Sequence, residues 1–148
     1  MVSRRKLLRI IDQASIRKAI RRAEQRTSGE MCVSVAPAFW GNVQKAAEKT
    51  FVRMGMTSTK DRNAVLFFVV PSRRKFAVLG DSGIHEKVGQ EFWEHIAEVM
   101  SERFRQGDFT DGLVAGIDEV GEQLAVHFPY QASQDRDELS NEIDFGEG

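Results

Sequence analysis

The sequence of 148 residues contains a single cysteine, three prolines and a single tyrosine. With Cys32 alone, the chain cannot form an intramolecular disulfide, which excludes the disulfide-stabilised class of small secreted domains and favours a reducing compartment. Cys32 lies in an apolar segment and has no base beside it in the sequence. We therefore interpret Cys32 as a small core residue rather than a nucleophile.

Long hydrophobic runs are also missing. Leu7-Leu8 is followed by Arg9, and Ile10-Ile11 is followed by Asp12. No segment reaches the roughly 7–15 apolar residues of a secretory signal or the roughly 20 of a membrane-spanning helix. We expect a soluble, cytoplasmic protein.

Several sequence motifs that carry chemistry are absent. The chain has no G-x-S-x-G nucleophile elbow, no C-x5-R phosphatase loop, no P-loop, no G-x-G-x-x-G and no EF-hand loop. The three histidines and Cys32 do not have the spacing of zinc ligands. His85 could serve as a metal ligand or as an acid or base, but a packing or capping role at a helix start is favoured. Enzymatic activity therefore stays open, without a recognisable nucleophile.

The charge is unevenly distributed although the formal net charge is only −1. A helical pattern over residues 13–26 carries a basic face made of Arg17, Lys18, Arg21 and Arg22. We favour a solvated face here, with contact to an anionic membrane surface as the weaker alternative. Nucleic-acid binding is not favoured, since the chain as a whole has no excess of positive charge.

The acidic end of the chain differs from the rest in composition. Residues 131–148 hold six Asp or Glu and few apolar residues, so they are predicted to form a disordered tail after one domain over residues 1–130. Truncation after Tyr130 should then leave the melting temperature nearly unchanged. Alternatively, Leu139, Ile143 and Phe145 form a strip that docks on the domain or on a partner.

The centre of the sequence is a predicted β-hairpin. Residues 64–70 and 75–79 are apolar, β-branched and aromatic, and Pro71-Ser-Arg-Arg74 forms the turn between them. A further strand over residues 31–36 and a helix capped by Asn42 precede it. A strand–helix–strand unit predicts parallel pairing of the first two strands. Helices are predicted over roughly 86–105 and 111–127, with Gly112, Gly116 and Gly121 allowing close packing.

This topology brings polar residues to one edge of the predicted sheet. Glu30 precedes the first strand, Asp61 and Asn63 precede the second, and Asp81 follows the third. We call these four residues the acidic rim. Asp81 and Asn63 could equally have local roles, Asp81 as a turn or helix-capping residue and Asn63 as a strand end.

Five segments, in order along the chain, resemble the TPM domain, and most closely its short soluble bacterial branch. They are Ala23-Glu24, Thr27-Ser-Gly-Glu30, Asn63-Ala-Val-Leu66, Gly80-Asp-Ser-Gly-Ile84 and the segment from Phe104 to Leu113 with Gly107-Asp-Phe109 inside it. The resemblance implies a three-layer α/β/α domain with a small mixed sheet around the hairpin, flanked by about four helices. It also implies divalent-cation binding, mainly of calcium, in some members, and a phosphatase activity in others.

Calcium takes several oxygen ligands at about 2.3–2.6 Å. The acidic rim offers Glu30, Asp61, Asn63 and Asp81, so these are the candidate metal ligands, with calcium favoured over magnesium or manganese. The sequence thus favours a binding module that responds to a cation and acts through a protein partner. The alternative is a metal-dependent phosphatase that uses the same residues to cleave phosphomonoesters.

Overall fold

The computed structural model describes residues 10–130 and 143–146. Within them the chain forms three strands and four helices, with short 3-10 turns at Met56–Ser58 and Pro71–Arg73. The elements in chain order are α1 (Gln13–Glu24), β1 (Glu30–Val35), α2 (Val43–Arg53), β2 (Ala64–Val70), β3 (Lys75–Gly80), α3 (Ser82–Arg105) and α4 (Phe109–His127).

The three strands form one mixed sheet in the order β1-β2-β3. β1 and β2 are parallel, with Glu30 opposite Ala64, and β2 and β3 are antiparallel, with Val65 opposite Gly80. The predicted hairpin and the predicted crossover are both confirmed. β2 lies between the other two strands and is buried along its whole length, which explains why it is apolar on both faces.

Each face of the sheet is covered by helices. Side chains at alternate positions of the strands, such as Val33 and Phe67, join a larger core cluster with α1, α3 and α4. The opposite face, which includes Cys32 and Leu66, packs against α2. The fold class is therefore a three-layer α/β/α domain with four helices around a small mixed sheet, as expected from the sequence.

The helix ends follow their capping residues. Asp12 accepts a hydrogen bond from the Ser15 amide, and Asn42 accepts one from the Lys45 amide, so both begin helices as predicted. α3 begins at Ser82 rather than near residue 86, because Asp81 caps it. Gly89 interrupts α3 with φ 76° and ψ 173°, a kink that the apolar spacing did not predict.

Two glycines of α4 allow close helix packing. A Cβ at Gly112 would lie 2.6 Å from Cδ1 of Phe104, and one at Gly116 would lie 2.7 Å from the sulfur of Met100. Both contacts are made with α3, so these positions need glycine for α3 and α4 to pack together. The close packing expected from the sequence is confirmed here.

The chain end differs from the expected disordered tail where the structure describes it. Residues 131–142, with Leu139, lie outside the described residues, and so do Glu147 and Gly148. Ile143–Gly146, which we call the tail segment, runs along β1, and Asp144 forms a parallel bridge with Ser34. Ile143 is buried in the larger core cluster. The sequence offered such docking as the alternative to a disordered tail; in the structure Ile143 and Phe145 pack on the larger core cluster beside β1.

Candidate functional site

Three of the four acidic-rim residues lie at one end of the sheet, where β1 and β2 begin and β3 finishes, as the strand directions predicted. Glu30 is paired with Ala64, the residue that follows Asn63, and the Asp81 amide donates a 2.9 Å hydrogen bond to the Ala64 carbonyl. Glu30, Asn63 and Asp81 are all buried, with 3%, 1% and 7% of their surface exposed. Polar groups at such depth need hydrogen bonds or ions to offset their lost hydration.

The carboxylate of Asp81 is bound by a side chain and by a backbone amide. It accepts hydrogen bonds from Nε and Nη2 of Arg62 at 2.6 and 2.8 Å, which form a bidentate ion pair. It also accepts a 2.8 Å hydrogen bond from the Ser82 amide at the start of α3. Hydrogen bonding to Asp81 and attraction by its charge raise the pKa of Arg62. Asp81 is thus the capping residue of α3 as well as the partner of a cationic side chain.

Arg62 reaches Asp81 from a left-handed backbone conformation with φ 50°. The loop around Arg62 also passes very close to the start of α3. The Arg62 carbonyl accepts hydrogen bonds from the Gly83 and Ile84 amides, and a Cβ at Gly83 would collide with the carbonyl oxygens of Asp61 and Arg62. Only glycine fits at residue 83, which accounts for this part of the sequence pattern.

Two polar side-chain atoms of the segment that leads into β2 have no hydrogen-bond partner among the described residues. They are the side-chain carbonyl oxygen of Asn63 and the hydroxyl of Thr59, and both are buried. A buried acceptor without a donor is costly, and a cation or a water molecule would relieve that cost.

The rim is less compact than the sequence suggested. Glu30 and Asp81 flank β2 on opposite sides, so their backbones are about two strand spacings, or roughly 10 Å, apart. Asp61 is exposed on the loop. In the described part of the chain, no group of three or more His, Cys, Asp or Glu side chains is placed to hold a metal ion. The structure brings Asn63 and Asp81 to neighbouring positions but does not gather all four residues around one point.

Cys32 and His85, the other candidate reactive groups, have environments that fit a structural role. Burial, followed by the negative charge of Glu30, raises the pKa of Cys32 to about 12, so its thiol stays protonated at neutral pH. Nδ1 of His85 accepts a 3.0 Å hydrogen bond from the indole of the buried Trp93. This contact agrees with the packing role that we favoured for His85.

The basic face of α1 is partly engaged within the chain. Arg22 lies 3.2 Å from Asp118 of α4, and Arg17 donates a hydrogen bond to Gln13. Lys18, Arg21 and Arg22 are exposed, so a role in contacting an anionic surface stays a prediction. No helix in the described ranges has the length and apolar character needed to span a membrane.

Sequence reasoning missed Arg62 and Thr59 as parts of this site. Arg62 stands between Asp61 and Asn63, and only its nearness to the predicted acidic rim could have indicated an ion pair with Asp81. Thr59 has no motif around it. An open groove of about 340 Å³ was missed too; it extends from Asp81 along α2 and is lined by Glu48, Phe51, Val52, Thr57, Leu79, Gly80 and Asp81.

Comparison with known proteins identifies the family. The family model described as the TPM domain matches residues 2–123. The solution structure of BA42 from the psychrophilic bacterium Bizionia argentinensis is 37% identical, with a TM-score of 0.83, over 90% of this chain and 92% of that chain. The N-terminal domain of cg2496 from Corynebacterium glutamicum shares the fold, with a TM-score of 0.53 and 14% identity over 97% of this chain and 80% of that chain. No curated protein matches the sequence. The chain belongs to the TPM domain family.

Proposed function

We propose that this TPM domain is a cytoplasmic binding module whose acidic rim takes a divalent cation, calcium in preference to magnesium or manganese, and which acts through a protein partner. The observation that carries the proposal is the buried carbonyl oxygen of Asn63, which has no hydrogen-bond donor among the described residues and lies at the same strand edge as Asp81. Calcium favours such a combination of carboxylate and carbonyl oxygens.

Asp81 and Asn63 would hold the cation. Asp61 lies exposed beside them, and Glu30 adds negative charge further along the same edge. A bound cation would supply positive charge to oxygens that have lost their hydration. Arg62 occupies the carboxylate of Asp81 at present, but its side chain is 48% exposed and is anchored to that one carboxylate. Arg62 can therefore move into solvent, so cation binding becomes an exchange of one positive partner for another.

The groove beside Asp81 supports the part of the proposal that concerns a protein partner. Its walls include Phe51 and Leu79, and Val52 on its margin is 67% exposed. Apolar surface next to a charged rim is typical of protein interfaces. A partner that contacts this groove would sense whether Asp81 is paired with Arg62 or with a cation.

Thermal melting with added calcium tests the cation site. A ligand that binds only the folded state stabilises it by about 2.7 kcal/mol at a hundredfold excess over its dissociation constant. The melting temperature should therefore rise by several degrees, and Asp81→Asn should remove most of that rise, because asparagine keeps the helix cap but not the charge.

Asp108→Asn is the matched control for this experiment. Asp108 also precedes a helix, α4, but it is exposed and its side chain makes no capping hydrogen bond. Its substitution should leave the calcium response intact. If calcium, magnesium and manganese at millimolar concentration all leave the wild-type melting curve unchanged, the cation site does not exist and Asp81 serves only as the cap of α3 and the partner of Arg62.

The alternative activity, metal-dependent hydrolysis of phosphomonoesters, would use the same residues. Turnover of a generic phosphomonoester with each of the three metals, lost in Asp81→Asn, would support it. No contact in the described residues favours this activity over binding, since His85 is engaged by Trp93.

A further inference from the structure

The outer edge of β1 is covered by the chain's own tail segment. The Asp144 amide donates a 2.9 Å hydrogen bond to the Val33 carbonyl, and the Val35 amide donates a 2.7 Å hydrogen bond to the Asp144 carbonyl. The tail segment thus pairs with β1 in parallel through a one-residue bridge between Ser34 and Asp144. An uncovered edge strand offers its backbone groups to any extended peptide.

The side chains of the tail segment alternate across the sheet as those of a strand do. Ile143 is buried in the larger core cluster, and Phe145 packs against the same cluster. Asp144 lies on the other side, where it accepts a 2.7 Å hydrogen bond from the Ser34 hydroxyl and pairs with Arg53 at 2.7 and 3.2 Å. The edge therefore recognises an apolar residue, an aspartate and a second apolar residue in succession.

The contacts that hold the tail segment on β1 are few compared with those of a full strand. Among the described residues, these contacts are two backbone hydrogen bonds, the Asp144–Arg53 ion pair, the Ser34 hydrogen bond, the buried Ile143 and the partly buried Phe145. Retention of the tail segment is aided by covalent attachment, since a tethered segment acts at an effective concentration on the order of millimolar. A separate peptide with the same pattern and better contacts can replace it.

We propose that the outer edge of β1 is a strand-addition site for an acidic, extended segment of a partner protein with the pattern apolar–Asp–apolar, and that the tail segment occupies this site as an internal competitor. The charge of the site selects the partner, because the Arg53 guanidinium and the Ser34 hydroxyl both favour a carboxylate. Backbone pairing supplies affinity and the alternating side chains supply specificity, as in other cases of β-augmentation.

This inference deepens the proposed function, since it rests on the proposal that the module acts through a protein partner. It does not depend on a cation at the acidic rim. Failure of the calcium experiment would therefore leave it standing, whereas failure of the peptide experiment below would leave the cation site untouched.

The test uses a fluorescently labelled peptide that corresponds to residues 140–148 and the full-length chain. In the variant Asp144→Lys, the tail segment places a lysine against Arg53 and should leave the edge. The labelled peptide should then bind this variant at least tenfold more tightly than it binds the wild type. A peptide with asparagine in place of the aspartate should bind at least tenfold more weakly.

Asp118→Lys is the matched control, because it also reverses a carboxylate that pairs with an arginine, Arg22, but lies away from β1. It should bind the peptide no better than the wild type does. If Asp144→Lys is folded by circular dichroism and its affinity for the peptide does not exceed that of the wild type, the proposal is wrong.

A second measurement decides the matter if Asp144→Lys does not fold. Millimolar unlabelled peptide is added to the isotope-labelled wild type, and the amide resonances of Val35 and Asp144 are followed by NMR. Displacement of the tail segment should shift the Asp144 resonance saturably, because Asp144 leaves β1 while the peptide re-forms the contact to Val35; an unchanged Asp144 resonance would overturn the proposal. A concentration-dependent wild-type dimer that Asp144→Lys abolishes would also overturn it, by assigning the edge to the tail of a second copy.

Discussion

Asp81 and Asp144 are each held by an arginine through two hydrogen bonds, but the two pairs join very different parts of the chain. Arg62 and Asp81 are 19 residues apart and join the two ends of the β2–β3 hairpin at the start of α3. Arg53 and Asp144 are 91 residues apart and connect α2 with the tail segment. The first pair is local, whereas the second holds a distant segment on the domain.

The two pairs also differ in exposure: Asp81 is more buried than Asp144, whereas Arg62 is more exposed than Arg53. Asp81 is 7% exposed and Arg62 is 48% exposed, while Asp144 and Arg53 are 17% and 31% exposed. At the acidic rim a deeply buried carboxylate has a cationic partner that is free to move into solvent. At β1 both partners are partly buried and accompany a core residue, Ile143. On the function proposed above, Arg62 exchanges by itself, whereas Arg53 separates from Asp144 only when the whole tail segment leaves.

The largest expected effect comes from Ile143. Ile143→Ala removes a side chain that is 7% exposed in the larger core cluster, so it should lower the free energy of unfolding by about 2–4 kcal/mol. Urea denaturation measures the change. Truncation after residue 142 should cost at least as much, contrary to the expectation from the sequence that the tail is dispensable.

Val126→Ala is the control for this substitution. Val126 is 68% exposed on α4, and its replacement should change the stability by no more than about 0.5 kcal/mol. Equal effects of Ile143→Ala and Val126→Ala would show that the tail segment contributes nothing to the folded state.

The sequence predicted the acidic rim better than the tail segment, for a physical reason. Strand alternation and the crossover rule are local regularities, so they bring Asn63 and Asp81 to one edge without knowledge of any side-chain contact. The pairing of Arg53 with Asp144 joins residues that no period or motif connects. The acidic composition of residues 131–148 indicated disorder, although the apolar strip with Ile143 and Phe145 was the visible signal for docking.

The missed role of Arg62 has a different origin. Hydrophobic periodicity ends at Ala64, and the left-handed conformation that turns Arg62 toward Asp81 leaves no trace in the pattern of apolar residues. The four rim residues were expected to converge because the strand directions bring them to one end of the sheet, and the charge of Arg62 was not part of that argument. The guanidinium of Arg62 already supplies Asp81 with a positive partner, so a cation would have to compete with it.

Lowering the pH should have an effect of intermediate size on the stability that Asp144 contributes. Burial alone would raise the pKa of Asp144, but hydrogen bonds from Arg53 and Ser34 outweigh it and hold that pKa below its ordinary value. A carboxyl with a lowered pKa in the folded state stabilises that state above its unfolded pKa of about 3.9, and the contribution is lost as the pH falls through the folded value. The wild type should therefore exceed Asp144→Asn in stability by about 1–2 kcal/mol at pH 7. The difference should shrink below about pH 4.

Urea denaturation of both proteins between pH 7 and pH 3 measures this difference. Asp118→Asn is a suitable reference, because Asp118 pairs with Arg22 on the surface, where both side chains are about half exposed. A constant difference between wild type and Asp144→Asn across the range would mean that the carboxylate does not hold the tail segment.

The smallest expected effect is the difference between substitutions of Arg62 and Arg22, two half-exposed arginines that each pair with an aspartate. Arg62 and Arg22 have nearly equal side-chain exposure, 48% and 50%, but their aspartates are 7% and 49% exposed. Without added metal, Arg62→Gln should lower the melting temperature slightly more than Arg22→Gln, because it leaves the buried Asp81 without a cation while the Ser82 amide still binds it. Both changes should be smaller than that of Ile143→Ala.

Added calcium should raise the melting temperature of Arg62→Gln by more than it raises that of the wild type, because the ion no longer competes with the guanidinium. Arg22→Gln should show no such additional rise. The same calcium response in both variants would mean that Arg62 and the cation do not share Asp81, and the exchange proposed for the acidic rim would be wrong.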